Sequence, residues 1–288
     1  MINLAIDPPV PFVVPDRPAY TIALVGCGGT GSHLAYTLAR LAAHCRESGG
    51  PRLTLAFIDG DLVERKNVGR QLFASSDVGK NKAMVLAARL NAVFGLDILV
   101  FPKMLVEQMV RAGDGDYGIL VGAVDNARAR LAIRNTLHNL AHQWRIWLDL
   151  GNHESSGQVV CGTSHAALDR KAMAGAIQHG LCSKLPVASV LYPELLEDAP
   201  IVPRADCAAA MQDNAQSLMV NQAMAMVGGE YLYQIVVKRR LTMFHTAIDL
   251  QTLTMRTLSI TAKNLAAVTG LTPEEIEGKK KTRKKRAA

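Results

Sequence analysis

The fold is decided by residues 20–41, which read YTIALVGCGGTGSHLAYTLARL. The first six residues form a short, mostly apolar run of the kind that becomes a buried strand. Four glycines follow between positions 26 and 31, and beyond them Leu34, Leu38 and Leu41 recur at helical spacing. The stretch therefore predicts a strand, a tight glycine turn and a helix.

The same alternation of apolar runs and helical patterns continues to residue 150. We expect strands at 20–25, 53–58, 97–101, 117–124 and 144–150, and helices at 30–45, 81–94 and 126–142. This alternation is typical of an α/β fold, a Rossmann-like parallel sheet with helices on both faces. Because right-handed crossovers bring the carboxyl ends of such strands to one edge, the glycine turn, Asp59 and Asp125 are expected to meet there.

The pattern changes after Gly151. We expect a strand at 158–162, an irregular connection at 165–215, a long methionine-rich helix at 216–238, and a terminal hairpin from 241–249 and 252–260. Long irregular connections in compact domains are usually functional or mobile. The sheet is thus expected to be extended by a crossover loop, a long helix and a C-terminal β-hairpin.

Charge and cysteine content exclude several classes of protein. The seven basic residues between positions 279 and 286 account for the whole formal net charge of +7, so nucleic acid is expected to be contacted only through this tail. The five cysteines are irregularly spaced and include no C-x-x-C pair, which indicates a reduced, cytoplasmic protein without a structural zinc site. Neither a signal peptide nor an apolar run long enough to cross a membrane is evident.

The glycine turn fits G-x-G-x-x-G, with glycines at Gly26, Gly28 and Gly31 and a further one at Gly29. Glycines let a backbone approach phosphates, and the helix that follows offers free N–H groups and a partial positive charge. This motif suits NAD, FAD and ATP alike. Asp59 and Asp61 follow the second strand, where a carboxylate can accept hydrogen bonds from ribose hydroxyls.

Two loop segments that carry cations favour ATP over a dinucleotide. They are Asn67–Phe73, with Arg70 at its centre, and Asp77–Lys82. Fixed arginine and lysine side chains stabilise the charge that spreads over phosphate oxygens during nucleotidyl transfer, whereas a dehydrogenase has no need of them here. Asp125 follows a later strand and is suited to Mg²⁺ that is bound mainly by phosphates and water.

These segments together resemble the adenylation domain of the ThiF/MoeB/ubiquitin-activating superfamily. The resemblance covers about residues 20–160 and rests on Gly26–Ser32, Asp59–Asp61, Asn67–Phe73, Asp77–Lys82 and Asp125–Arg130. It implies an enzyme that uses ATP and Mg²⁺ to adenylate the C-terminal carboxylate of a small ubiquitin-like (β-grasp) protein. Transfer of the acyl group to a cysteine thiol can follow, because an acyl-adenylate is a reactive electrophile.

The resemblance also implies roles for the matched residues. The expected cofactor-binding residues are Gly26, Gly28, Gly29 and Gly31 at the phosphates, Asp59 and Asp61 at the ribose, and Asn67, Gln71 and Asn126 around the nucleotide. The expected catalytic residues are Arg70 and Lys82 at the triphosphate and the attacking carboxylate, and Asp125 on Mg²⁺. Arg130 is expected to have a structural or interface role.

Cys207 is the candidate acceptor thiol, because it precedes the predicted long helix and a nearby helix start favours a thiolate. Asp206 opposes this by raising the pKa, so a buried structural cysteine is the alternative. Cys182 is a weaker candidate. The zinc-binding cysteine pairs of many relatives are missing, so residues 161–215 must be held in another way.

We therefore divide the chain into an extended N-terminal arm (1–19), an ATP-binding adenylation core (20–160), a crossover loop (161–215), a C-terminal helix and hairpin of the same domain (216–277) and a disordered basic tail (278–288). The family implies a homodimer. Three features are similar to the ThiF-like member of the bacterial PRTRC cassette: residues 124–135, residues 149–152, and a cysteine before a helix that contains Asn221 and Gln222. This similarity implies a bacterial cytoplasmic system with a JAB-type peptidase. Two alternatives stay open: a non-catalytic ThiF-like nucleotide-binding scaffold and an NAD(P)-dependent oxidoreductase.

Overall fold

An eight-stranded mixed sheet forms the centre of the protein, seen in a computed structural model that describes residues 8–107, 109–166, 169–197 and 218–279. The strands, in chain order, are β1 (Phe12–Val13), β2 (Ala19–Val25), β3 (Arg52–Ile58), β4 (Leu99–Phe101), β5 (Tyr117–Gly122), β6 (Trp144–Asn152), β7 (Ser156–Thr163), β8 (Ile177–Gln178), β9 (Leu181–Cys182), β10 (Arg240–Leu241), β11 (Met243–Asp249) and β12 (Thr254–Ser259). The order across the large sheet is β12-β11-β7-β6-β5-β2-β3-β4.

Five neighbouring strands of this sheet, β4, β3, β2, β5 and β6, run parallel, which confirms the predicted Rossmann-like core. Strand β7 then runs antiparallel to β6 because only residues 153–155 separate the two, too few for a crossover. The predicted C-terminal hairpin, β11 and β12, continues the same sheet beyond β7. The sheet is therefore parallel on one side and antiparallel on the other.

Helices cover both faces of the sheet. The helices α1 (Gly29–Glu47) and α2 (Lys82–Phe94), together with the long helix (Leu218–Tyr233), share one core with alternate residues of β2, such as Ile22 and Leu24. On the other face, α3 (Ala127–Asn139) and a short helix (Ala188–Leu191) pack on residues such as Leu120 and Trp147. Full burial of each large apolar side chain contributes about 1.5–3 kcal/mol.

Several elements were not predicted. The N-terminal arm contributes β1 to a second, four-stranded sheet with the order β10-β1-β9-β8, so residues 161–215 contain a small hairpin and a helical turn besides loop. The hairpin of the large sheet is followed by two further helices, Ala262–Thr269 and Pro273–Ile276. Cys207 and most of the basic tail lie outside the described residues. Within the described ranges, no helix has the length and apolar character needed to cross a bilayer.

Candidate functional site

The carboxyl ends of the parallel strands line up through backbone hydrogen bonds that continue past the strands themselves. The N–H of Gly26 donates to Ile58 O (2.9 Å), and the N–H of Ala123 donates to Val25 O (2.9 Å). The N–H of Asp59 donates to Phe101 O (3.2 Å). The glycine turn, Asp59 and the segment that leads to Asp125 therefore meet at one edge of the sheet, as the sequence predicted.

The glycines of the turn differ in what surrounds them. Gly26 has a φ of +89°, and a Cβ there would lie 2.5 Å from Ala123 O. A Cβ on Gly31 would lie 1.9 Å from Gly26 O, so helix α1 can approach the strand only because this residue is a glycine. Around Gly28, by contrast, the nearest atom is Gln71 Nε2 at 3.9 Å. Gly26 and Gly31 are thus required by packing, whereas Gly28 faces space that a ligand can enter.

The start of helix α1 has the features of a phosphate site. Gly28 is its N-cap and supplies no side-chain cap, so the first-turn N–H groups keep their capacity to bind an anion. Beside Gly28, Gln71 Oε1 is buried and finds no hydrogen-bond donor within the described part of the chain. Such an acceptor suits a ligand that carries hydroxyl groups, as a nucleotide does. The residues present therefore fit a nucleotide.

Asp59 connects the glycine turn to the loop after β3 by hydrogen bonds. Its Oδ2 accepts the N–H of Cys27 (2.6 Å), and its Oδ1 accepts the N–H of Asp61 (2.8 Å). Burial raises the pKa of Asp59, and the two N–H donors oppose that rise. Both oxygens are thus committed to backbone donors. The visible role of Asp59 is to fix the turn, and its predicted contact with ribose stays a prediction.

Lys82 and Asp61 form an ion pair at the same edge, with Nζ and Oδ2 3.0 Å apart. Lys82 is the first residue of α2 and its side chain is only 9% exposed, whereas that of Asp61 is 53% exposed. Asn81, which sequence reasoning missed as a site residue, caps α2 and donates from Nδ2 to Asp59 O (2.8 Å) and Asp61 O (3.1 Å). A capped helix start and a carboxylate therefore hold the lysine ammonium group in place.

The loop that contains Arg70 is folded against α1. Asn67 is buried and its Oδ1 accepts the N–H of Glu64 (2.8 Å), so this side chain is used to close a turn. Arg70 Nε donates to Lys66 O (3.2 Å). The N–H of Leu72 donates to Ser32 Oγ on α1 (3.2 Å). These contacts bring Gln71 to the glycine turn, while the contacts of Asn67 and Arg70 with a nucleotide stay predictions.

Asp125 and Asn126 lie exposed between β5 and α3. Asn126 caps α3 by accepting the N–H of Ala129 (2.8 Å), and its Nδ2 donates to Asp125 Oδ1 (3.2 Å). The Asp125 carboxylate is suited to Mg²⁺ that takes its other ligands from phosphates and water. In the ranges that the structure describes, no group of three or more His, Cys, Asp or Glu side chains could hold a metal ion by itself.

Arg130 is buried on α3 and pairs with Asp149 of β6, with Nε and Oδ1 3.4 Å apart. Burial raises the pKa of Asp149 to about 6, although the charge of Arg130 opposes the rise. Asp149 Oδ2 has no hydrogen-bond partner among the described residues. The pair lies beneath α3 inside the core, in keeping with the structural role expected of Arg130.

The four cysteines that the structure describes, Cys27, Cys45, Cys161 and Cys182, are all buried. Burial raises the pKa of each thiol, to about 11 for Cys182 and about 12 for Cys161. Because the thiolate is the nucleophile, these are poor acceptors for an acyl group. Cys182 in addition donates to Lys184 O (3.1 Å), which argues against the weaker candidate.

An open glycine turn at a helix start, at the carboxyl edge of a parallel sheet, is the arrangement of a nucleotide-binding α/β protein. Residues 18–265 match the sequence profile of the ThiF family. The chain therefore belongs to the ThiF family, as the resemblance of its motifs indicated.

Two curated relatives each match less than half of the chain. Adenylyltransferase and sulfurtransferase MOCS3 of Mus musculus is 31% identical over 121 residues, which is 41% of this chain and 24% of the mouse protein. Ubiquitin-like modifier-activating enzyme 5 of Oryza sativa subsp. japonica is 30% identical over 139 residues, 43% of this chain and 31% of the rice protein. The match thus spans less than a third of either relative.

Solved structures match over more of the chain. MccB of E. coli with ATP superposes with a TM-score of 0.52 and 16% identity, over 84% of this chain and 64% of MccB. PaaA gives a TM-score of 0.54 and 21% identity, over 84% of this chain and 64% of PaaA. At these identities the likeness shows a shared fold alone.

Proposed function

We propose that the protein uses ATP to adenylate the C-terminal carboxylate of a small ubiquitin-like protein or peptide. The observation that carries the proposal is the open space at Gly28, at the uncapped start of α1, in a chain of the ThiF family. Two relatives support it by name, one an adenylyltransferase and one a ubiquitin-like modifier-activating enzyme. The neighbour MccB has been solved with ATP and with MccA.

In the proposed reaction a carboxylate oxygen of the substrate attacks the α-phosphorus of ATP. The bond between the α-phosphorus and its bridging oxygen breaks, and pyrophosphate leaves with the electron pair. The first-turn N–H groups of α1 bind phosphate oxygens, and Lys82 and Arg70 stabilise the charge that develops on them. Asp125 would hold Mg²⁺, which neutralises phosphate charge when it is bound.

The test is ATP–pyrophosphate exchange, supplied in turn with a β-grasp protein that ends in glycine and with a short peptide. We expect Lys82→Met to slow exchange by about 10²–10³-fold, the usual effect of removing one stabilising group. Lys80→Met removes an exposed lysine two residues away and is the matched control. ATP binding without exchange for any carboxylate would favour the non-catalytic scaffold. Binding of NAD(P) in preference to ATP would favour the oxidoreductase.

We further propose that Cys207 accepts the acyl group from the adenylate. Its thiolate would attack the carbonyl carbon, the bond to AMP would break, AMP would leave, and the thiol proton would pass to solvent. Support comes by elimination, because the four described cysteines are buried with raised pKa values. A thioester that forms with wild type and is absent with Cys207→Ser on non-reducing gels would support this step.

A symmetric homodimer is also proposed, with the groove between α1 and the long helix as its interface. The groove encloses about 670 Å³ and exposes Tyr36 and Met226, with Arg40 and Glu230 among its lining residues. Because a two-fold axis brings the same patch onto itself, Arg40 of one copy can pair with Glu230 of the other. Sedimentation velocity should show weaker self-association for Met226→Glu, with Met255→Glu on β12 as the exposed control.

The PRTRC membership, a JAB-type peptidase partner, contact of the basic tail with nucleic acid, and a bacterial cytoplasmic location stay predictions from the sequence.

A further inference from the structure

A buried amide from the long helix joins three separate elements at the proposed phosphate site. Asn221 is 3% exposed, and its Oδ1 accepts two hydrogen bonds. One comes from Thr30 Oγ1 in the first turn of α1 (3.1 Å), and the other comes from Asn152 Nδ2 at the end of β6 (2.9 Å). An amide oxygen has two lone pairs, so its capacity is filled by these donors.

The same amide rests directly on the backbone of the glycine turn. A Cβ on Gly29 would lie 2.7 Å from both Nδ2 and Oδ1 of Asn221. Gly29 is the first residue of α1, and its neighbour Gly28 is the open position. Gly29 is therefore a glycine for a reason other than close approach of a ligand, namely close approach of Asn221.

We propose that Asn221 is a positioning residue that holds the phosphate-binding turn of α1 against the long helix and the end of β6. The amide fixes the turn by two hydrogen bonds and by contact with Gly29, so that the N–H groups face the ligand before it arrives. This preorganisation lowers the cost of binding a triphosphate. The proposal rests on the proposed function for the identity of the ligand, and on the contacts for the positioning itself.

The Asn221 side chain carries no charge, which suits a residue that lies against an anion-binding turn. An aspartate at position 221 keeps the size and one oxygen, but it places a negative charge against the turn that is meant to bind phosphate. We therefore expect Asn221→Asp to weaken ATP binding more than Asn221→Ala does. A residue that served only to fill space would show the reverse order, because aspartate is nearly isosteric with asparagine.

The first experiment measures ATP affinity calorimetrically in a double-mutant cycle of Gly29→Ala and Asn221→Ala, with Gln222→Ala as the exposed control on the same helix. We expect each single variant to bind ATP about tenfold more weakly, a change of about 1.4 kcal/mol. The added methyl group has room once the amide is gone, so the double variant should bind better than the product of the two losses. Multiplicative losses, or Asn221→Ala within twofold of wild type, would overturn the proposal.

The second experiment needs no nucleotide. Amide hydrogen exchange of the peptide that covers residues 26–34 should rise by about tenfold or more in Asn221→Ala and stay unchanged in Gln222→Ala. If the wild type fails to bind ATP, the proposed function fails, whereas the exchange of this peptide still decides whether Asn221 holds the turn. Unchanged exchange in Asn221→Ala would show that it does not.

Discussion

Replacement of Asp149 by asparagine should change how the stability of the protein depends on pH. Asp149 is 1% exposed and pairs with Arg130, yet one of its oxygens has no partner in the described structure. Burial raises its pKa from 3.8 to about 6. The folded protein therefore takes up a proton at a pH where the unfolded chain does not, so the wild type gains stability as pH falls from about 7 towards 4.

The size of this gain follows from the two pKa values. With a pKa of about 6 in the folded state and 3.8 in the unfolded state, the wild type gains about 1.4 kcal/mol between pH 7.5 and pH 5.0. The asparagine side chain in Asp149→Asn does not titrate, so the variant lacks this gain in stability. The difference in unfolding free energy, wild type minus variant, should therefore rise by that amount when urea unfolding is repeated at the two pH values.

The opposite sign would refute the reasoning. If the attraction of Arg130 outweighed the burial of Asp149, the folded-state pKa would lie below 3.8, and stability would be lost only at still lower pH. The difference between wild type and variant would then stay flat down to pH 5 and decrease below it. Asp97→Asn, which alters an exposed carboxylate, controls for effects of net charge.

Three further outcomes can be checked on the same protein. Gly31→Ala should lower the melting temperature far more than Gly28→Ala, because only position 31 has no room for a methyl group. Gly28→Ala should instead weaken ATP binding about tenfold, because its methyl group occupies the path of a phosphate. Equal melting temperatures for the two variants would contradict the packing argument. A thiol reagent should label at most one cysteine quickly in the native protein, and Cys207→Ser should abolish that labelling, since the other four thiols are buried; fast labelling that survives would place an accessible thiol among those four. Tyr192→Phe should cost about 1 kcal/mol in urea unfolding, through loss of the 2.7 Å hydrogen bond to His245 Nε2; an unchanged midpoint would mean that the bond contributes nothing.

Most of the parallel part of the sheet was predictable because β2, β5 and β6 are buried on both faces and are therefore continuous apolar runs. The small second sheet was not, because β1 and β9 have two residues each and meet across about 170 positions of sequence. The helix Pro273–Ile276 was missed although its signal was present. Thr272 and Glu275 form a reciprocal cap around a proline at the first helical position.

The sequence predicted which edge of the sheet carries the candidate site, but not the hydrogen bonds and contacts that its residues make there. The order of strands and helices was enough to predict that the glycine turn, Asp59 and Asp125 meet at one edge. It could not show that both carboxylate oxygens of Asp59 accept hydrogen bonds from backbone N–H groups, because those bonds depend on how the loop after β3 folds back. Nor could it show the contact of Asn221 with Gly29, since the two residues are far apart in sequence and the order of strands and helices does not determine side-chain contacts between distant elements.

The charged residues at the carboxyl edge of the sheet determine which experiment can distinguish an adenylating enzyme from a non-catalytic nucleotide-binding scaffold. The proposed phosphate side of the site is formed before any ligand binds, by the start of α1 and by the buried Lys82 side chain, which pairs with the half-exposed Asp61. Asp125, by contrast, is exposed. In the proposed function, the role of Asp125 therefore depends on the nucleotide, the Mg²⁺ and the carboxylate that bind there. A measurement of ATP binding reports only on the phosphate side, and a non-catalytic scaffold would bind ATP as well. Only pyrophosphate exchange that requires the added carboxylate reports on the completed site, so it is exchange, and not affinity, that decides between the two.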